Sequence, residues 1–314
     1  MKSVTKKIKI SGVGIHSGLP VNMVVKPSKK YGIFFKRSDI KNSDLIPATY
    51  DNVGETLMRN TTIGKTSGAH VQTIEHLMAA LFLSGIDSAV IEIDDKETPI
   101  LDGSAYEFYK AFEKNVSGKS NMKKIIVKKT VVAHRNELVK QMPFFKRIKT
   151  IILNHTLFRK GNGYVKLSPN NGGLKIDATL VYPDKIIGSQ SYSCFLDGSK
   201  KSINDFIKNI SKSRTFGKYS EWEYLKAHGM GRGANENNVI ALNAAGDGTL
   251  NKLYYPDEFV RHKIIDAVGD MFTSSGFIYG HLESVKGSHA LNNLVLRKLF
   301  SDKSNYEIIE EKGK

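Results

Sequence analysis

FVRHKIIDAVGDMF (259–272) sets His262, Asp266 and Asp270 four residues apart in a run otherwise built from Ile, Val, Phe and Met. At about 100° per residue, a helix gathers these three side chains within roughly 80° of one another. Ile264, Ile265, Val268, Met271 and Phe272 then form an apolar back, and the spacing predicts one long helix over about 257–274. Gly269 leaves one flank of the polar stripe bare, while Arg261 falls among the apolar positions for no reason visible in the sequence. Two readings of the stripe stay open here. A solvated face with weak i,i+4 pairs is the commoner use of such a pattern. The other is metal ligation, because side chains one helical turn apart can share an ion and zinc accepts His nitrogen and Asp oxygen. A catalytic zinc site needs three protein ligands, so a third would have to come from elsewhere in the chain.

The whole chain narrows the choice. Its 314 residues suit two domains or one large one, and 40 % apolar with 25 % charged residues is ordinary for a folded soluble protein. No apolar run approaches a membrane span, and MKSVTKKIKISGVGIHSG (1–18) lacks the apolar core expected of a secretory signal. One cysteine, Cys194, excludes an intrachain disulfide and a Cys-rich zinc module, and it fits a cytoplasmic setting. Any metal must be held by His and carboxylates. Lys and Arg number 47 against 31 Asp and Glu, a net +16. That charge suits an anionic substrate such as a nucleotide sugar, an anionic membrane surface or nucleic acid, and equally a composition merely rich in Lys and Asn. The aromatic motifs and Cys/His fingers of nucleic-acid modules are absent from the sequence, so no nucleic-acid partner is expected.

Residues 1–118 read as an N-terminal α+β domain. Strands are expected at 21–25, 32–37 and 88–94, and helices over 71–85 and 100–114, the second with Ser104 as N-cap. Residues 119–314 read as a second α+β domain. Its strands are expected near 163–168, 174–183, 190–196 and 277–284, and its helices near 202–212, 257–274 and 290–300. Within it, residues 119–150 read as a linker or insertion. They are the most basic stretch, where KKIIVKKTVVAHRN (123–136) and FKRIKTIILNHTLFR (145–159) look like two similar strand-like segments. The charged tail SDKSNYEIIEEKGK (301–314) is expected to fray.

Two further histidines stand out. His76, in TIEHLMAALFLSGID (73–87), is the obvious third ligand, and its neighbour Glu75 has the chemistry of a general base. His289 lies in a Gly-containing loop, KGSHALNN (286–293), before a helix. Taken singly, each is more often an inert surface residue.

SGVGIHSG (11–18), TIEHLMAAL (73–81), TPILDGSA (98–105), SRTFG (213–217), DEFVRHKIIDAVGD (257–270) and GSHALNN (287–293) occur in this order. Together they resemble the UDP-3-O-acyl-N-acetylglucosamine deacetylase family, zinc amidases that commit a cell to lipid A synthesis. The resemblance spans nearly the whole chain except about 117–150. It implies a fold of two similar α+β domains, each a β-sheet with paired helices, the helices sandwiched between the sheets in the ribosomal protein S5 domain 2-like manner. It implies Zn2+ on His76, His262 and Asp266, with Fe2+ as a possible substitute. By the same resemblance Glu75 is the general base, His289 the general acid and Asp270 the carboxylate that orients it. Thr215 and Lys263 match groups near the reacting amide, Phe216 a substrate-pocket aromatic, and His16 a histidine near the site mouth.

The implied substrate is a UDP-linked acylated glucosamine, handled by a cytoplasmic monomer with peripheral contact to the inner membrane. The segment after SRTFG builds an apolar acyl passage in the family. Here Tyr219, Trp222 and Leu225 recur at helical spacing and are candidates to line it. Two departures matter. Ser288 stands where the family has Gly, at a cost if that position needs φ > 0, and Ala234 interrupts a Gly-rich stretch. Two other functions compete: a zinc amidase acting on another acylated amino sugar, and a non-catalytic binding protein that relies on its charge.

Overall fold

The computed structural model describes residues 1–54, 60–65, 68–140, 163–227 and 229–310. The strand-like segment expected at 145–159 lies outside them. The architecture is mixed α and β. In the first half a five-stranded sheet runs in the order Ile8–Val13, Pro20–Pro27, Ser88–Ile93, Gly32–Arg37, Ile46–Pro47. Its strands follow period two: Val21, Met23 and Val25 are buried, while Pro20 before them and Asn22 between them are exposed. Helices α1 (Glu75–Leu83) and α2 (Tyr106–Glu113) pack on each other beside it. Helix α1 starts four residues later than the periodicity suggests, because Thr73 takes φ 60°, which no right-handed helix continues through. Ser104 sits one residue before the cap position of α2, and its hydroxyl accepts the Tyr106 N–H.

The second half holds a seven-stranded sheet. Phe277–Val285 is its centre. It pairs with Lys124–Val127 along its first residues, and with Tyr164–Ser168 and Leu174–Val181 along the rest. Val131–His134, Ser189–Leu196 and Tyr306–Ile309 complete the sheet. The last of these corrects the expectation of a fraying tail. Residues 306–309 contain enough β-formers (Tyr306, Ile308, Ile309) to zip antiparallel onto Lys124–Val127, and Lys128 meets Glu307 there. The remaining helices are α3 (Arg135–Lys140), α4 (Lys200–Asn209), α5 (Tyr219–Ala227), α6 (Glu258–Phe272) and α7 (His289–Phe300).

Helix α6 is the pivot. It packs against α1, α7 and the strands 174–181, 189–196 and 277–285. Every residue in it except Arg261 and Lys263 is buried. The solvated-stripe reading therefore fails: the polar stripe faces the start of α1 across the molecule, not water. Arg261 gains its reason. Its guanidinium bonds Asp257 and the Asn209 carbonyl and lies over the rings of Tyr192 and Tyr255, stapling α6 to its neighbours.

Gly269 sets the distance between the two central helices. A Cβ built there would fall 1.9 Å from the Glu75 carbonyl oxygen, so only glycine allows α1 and α6 to approach this closely. Gly269→Ala is expected to destabilise the fold by about 1–3 kcal/mol or more, the range of overpacked cores. Denaturant unfolding measures it, and an unchanged midpoint would show that the helices part without cost.

Candidate metal centre and catalytic groups

The first turn of α1 presents Glu75 and His76, and one face of α6 presents His262 and Asp266. His76 Nε2 lies 3.5 Å from Asp266 Oδ1, and His262 Nε2 lies 3.3 Å from the same oxygen. The two imidazoles meet edge to face, their centroids 4.9 Å apart. One ligand atom from each of the three buried residues falls within 4.8 Å of the others.

The polar chemistry of this cluster fits a cation. His262 Nδ1–H donates to the Ser213 carbonyl at 3.0 Å, which leaves Nε2 as a lone pair pointing at the cluster. Burial pushes the His262 imidazole down to about 3, against the pull of Asp266, so the ring is neutral and able to ligate. Asp266 is held well below the usual carboxylate range: burial opposes this, and His262, Lys263 and His289 overcome it. Lys263 Nζ donates to Oδ2 at 2.6 Å, while Oδ1 is buried without any hydrogen bond. Two imidazole Nε2 atoms beside an orphaned carboxylate oxygen are the donor set a divalent metal takes, with three protein ligands.

Two acid–base groups flank the cluster. Glu75 is buried, and that burial raises its pKa despite the histidines beside it. Its Oε2 accepts the Thr61 N–H at 3.0 Å, and its Oε1 lies 3.9 Å from His289 Nε2. His289 opens α7. Burial pulls its pKa down, but Asp270, Glu75 and Asp266 together raise it to about 9, so the imidazole is cationic at neutral pH. Its Nδ1–H donates to Asp270 Oδ2 at 2.9 Å. Asp270 stands apart from the ligand set. It accepts from His289 and Asn292 on Oδ2 and from the Thr61 hydroxyl on Oδ1. Ser288 carries no conformational penalty. Its φ is −154°, ordinary extended backbone, and its hydroxyl caps α7 by accepting the Leu291 N–H.

The other expected residues fall into three places. Lys263 and Phe216 are at the cluster: the ammonium lies 5.8 Å from the Phe216 ring centroid, and that ring is 6.3 Å from His262. Thr215 precedes Phe216, its backbone tied to the Gly103 carbonyl and the Ile240 N–H. His16 sits in a turn whose backbone is clamped by the buried carboxylate of Glu97 and by Arg232. Trp222 is buried in a small apolar cluster with Val239 and Ala241, against Ile15 and Ala234. Tyr219 stacks obliquely on it but is half exposed, and Leu225 is partly buried.

This geometry is compatible with metal-assisted hydrolysis, and comparison with known proteins gives the family. A family model for UDP-3-O-acyl N-acetylglycosamine deacetylases matches residues 1–301. The chain belongs to that deacetylase family. A UDP-3-O-acyl-N-acetylglucosamine deacetylase from a Nitratiruptor species is 35 % identical over 311 residues, covering 98 % of this chain and 93 % of the relative. The proteins of the same name from Francisella tularensis subsp. tularensis and Francisella tularensis subsp. holarctica are each 31 % identical over 312 residues, covering 98 % of this chain. They are themselves covered to 99 % of their length. The deacetylase family membership agrees with the six motifs, three of which bring their residues together here from α1, α6 and α7.

Several residues escaped sequence reasoning. Arg214, inside SRTFG, forms a buried ion pair with Glu258 at the start of α6, and its guanidinium also reaches the Lys252 carbonyl. That pair fixes the backbone on which Ser213 orients His262. Asn292 stands three residues after His289, on the same face of α7. Its place in GSHALNN was the available signal. Thr61 had none, since it lies in irregular chain without periodicity.

Proposed function

We propose that this chain hydrolyses the N-acetyl amide of UDP-3-O-acyl-N-acetylglucosamine, releasing acetate and UDP-3-O-acyl-glucosamine, the committed step of lipid A biosynthesis. The observation that carries the proposal is the convergence of His76, His262 and Asp266 within 4.8 Å, with Glu75 and His289 beside them. The metal is assigned as Zn2+, with Fe2+ as an alternative occupant, because two imidazoles and one carboxylate suit both. Bound there, it supplies Lewis-acid chemistry, lowering the pKa of a water towards about 7 and polarising the amide carbonyl.

The chain's own groups do the rest. Glu75 accepts the proton of the attacking water at Oε1, the oxygen not engaged by Thr61. Lys263 and the Thr215 hydroxyl donate to the oxygen on which negative charge develops. An amide nitrogen leaves only when protonated, and His289 delivers that proton from Nε2 while Nδ1–H stays on Asp270. Phe216 and His16 contact substrate at the edges of the site.

The same reading assigns residues 1–118 and 119–314 to two domains of the ribosomal protein S5 domain 2-like type, with the reaction at their junction. It places the enzyme in the cytoplasm as a monomer that touches the inner membrane surface, where its net +16 meets anionic lipid and a nucleotide diphosphate. No helix among the described residues is long and apolar enough to cross a membrane. Tyr219, Trp222 and Leu225 line the acyl passage. Trp222→Ile is expected to shift the acyl-length preference towards longer chains, read as kcat/KM across a series of acylated substrates. An unchanged preference would remove Trp222 from the passage.

Acetate release from the UDP-linked substrate by the purified chain tests the function. Release from that substrate and not from free N-acetylglucosamine supports it, and the absence of release with metal bound overturns it.

A further inference from the structure

Thr61 is the one described residue that hydrogen-bonds both the carboxylate of Glu75 and the orienting carboxylate of Asp270. Its N–H donates to Glu75 Oε2 at 3.0 Å and its hydroxyl to Asp270 Oδ1 at 2.5 Å. Its carbonyl accepts the N–H of Ile74, the residue before Glu75, at 3.3 Å. The side chain is buried, as are both carboxylates. Thr61 is itself held on both sides. Asn60 bonds the Thr73 hydroxyl and accepts from Thr62, and the Thr62 carbonyl accepts the Gly54 N–H. Thr73 takes a positive φ, and from the other side the Thr98 hydroxyl donates to its carbonyl while its own hydroxyl donates to Glu97. Such a conformation persists only where its surroundings over-determine it.

The arithmetic of donors makes the hydroxyl consequential. Asp270 offers two oxygens. Oδ2 serves His289 and Asn292, and Oδ1 receives only Thr61 among the described residues. With Asp270 3 % exposed, bulk water does not reach the carboxylate to replace a lost donor. A carboxylate with one oxygen stranded is free to rotate about its Cβ–Cγ bond, and rotation withdraws Oδ2 from the imidazole. The Thr61 N–H acts differently: it occupies Glu75 Oε2 and so leaves Oε1 as the oxygen facing His289.

We infer that Thr61 is a positioning residue that ties the general base, Glu75, to the carboxylate orienting the general acid, Asp270, so that the two proton-transfer groups keep one relative geometry. The inference rests on the deacetylase reading for the roles of Glu75 and His289. Thr61 bridges distant parts of the chain, 209 positions separating it from Asp270. It therefore acts as a fixed link between the α1 half of the site and the α6–α7 half.

The test uses Thr61→Val, which keeps shape and N–H but removes the hydroxyl, and Thr61→Ser, which restores the hydroxyl without the methyl. Thr61→Val is expected to lower kcat by about 10- to 100-fold, the loss of one hydrogen bond to a charged group. KM should stay within about twofold and the metal content unchanged, as expected when an interaction special to the transition state is lost. Thr61→Ser should recover most of the rate although it removes a buried methyl. A purely structural role predicts the reverse: both variants lose stability and neither loses rate per folded molecule. In an Asp270→Ala background, Thr61→Val should cost almost nothing more, because both changes break one unit. Independently of turnover, the downfield proton of the His289–Asp270 bond, assigned by its loss in Asp270→Ala, should shift or broaden in Thr61→Val and return in Thr61→Ser. Unchanged kcat, or an unchanged resonance, in Thr61→Val overturns the inference. A wild-type chain that binds metal but releases no acetate overturns the functional reading instead, while the resonance still decides whether Thr61 holds Asp270.

Discussion

His262→Ala and His76→Ala are expected to purify without stoichiometric metal and to lose at least about 10³-fold in acetate release, the worth of several kcal/mol of charge stabilisation. The reason is geometric. Both Nε2 atoms point at Asp266 Oδ1, an oxygen with no hydrogen bond of its own. Removing either imidazole leaves two ligands, below the three that a catalytic site holds. Metal analysis and rate measured on the same preparation check this, with unfolding by denaturant as the control. A variant that keeps one metal per chain and a rate within about tenfold of wild type would take that histidine out of the ligand set.

Glu75→Ala and His289→Ala are expected to separate cleanly from those variants. Each keeps its metal, because neither side chain belongs to the triad, and each loses on the order of 10²-fold or more in kcat through lost proton transfer. Glu75→Gln sharpens the test: it keeps the size of the side chain and a carbonyl to accept the Thr61 N–H, but it cannot take a proton. Full turnover by Glu75→Gln with metal bound would assign the base elsewhere. For His289 the raised pKa, about 9, means that the group enters the reaction already protonated at neutral pH. Losing it removes the cationic imidazole that the deacetylase reading assigns to protonate the leaving amine.

Legibility in the sequence followed the physics of each element. The helix 258–272 was visible to within two residues at either end because its apolar period is strong. What periodicity could not show was its surroundings. A stripe of His and Asp looks the same whether it faces water or a second buried helix, and only the packing of α1 through Gly269 decides. Strands 164–168, 174–181, 189–196 and 277–285 were expected near those positions, since each alternates. The strand 306–309 was missed because its charged flanks outweighed three β-formers. The site was legible where motifs carried it: His76, His262, Asp266, Glu75, Asp270 and His289 all meet in the structure. Ser213 and Thr61 were not legible, because a backbone carbonyl aimed at an imidazole and a loop hydroxyl aimed at a carboxylate leave no pattern in spacing. The concern over Ser288 dissolved for a similar reason, since its extended backbone and capping role are set by the turn before α7.

The measurement that bears most directly on the central claim is acetate release from UDP-3-O-acyl-N-acetylglucosamine before chelation, after chelation, and during stepwise return of Zn2+. The account predicts loss of release on chelation and linear recovery that ends at one metal per chain, with no recovery in His262→Ala. Release that persists in fully metal-free protein, or recovery indifferent to the loss of His262, would contradict it.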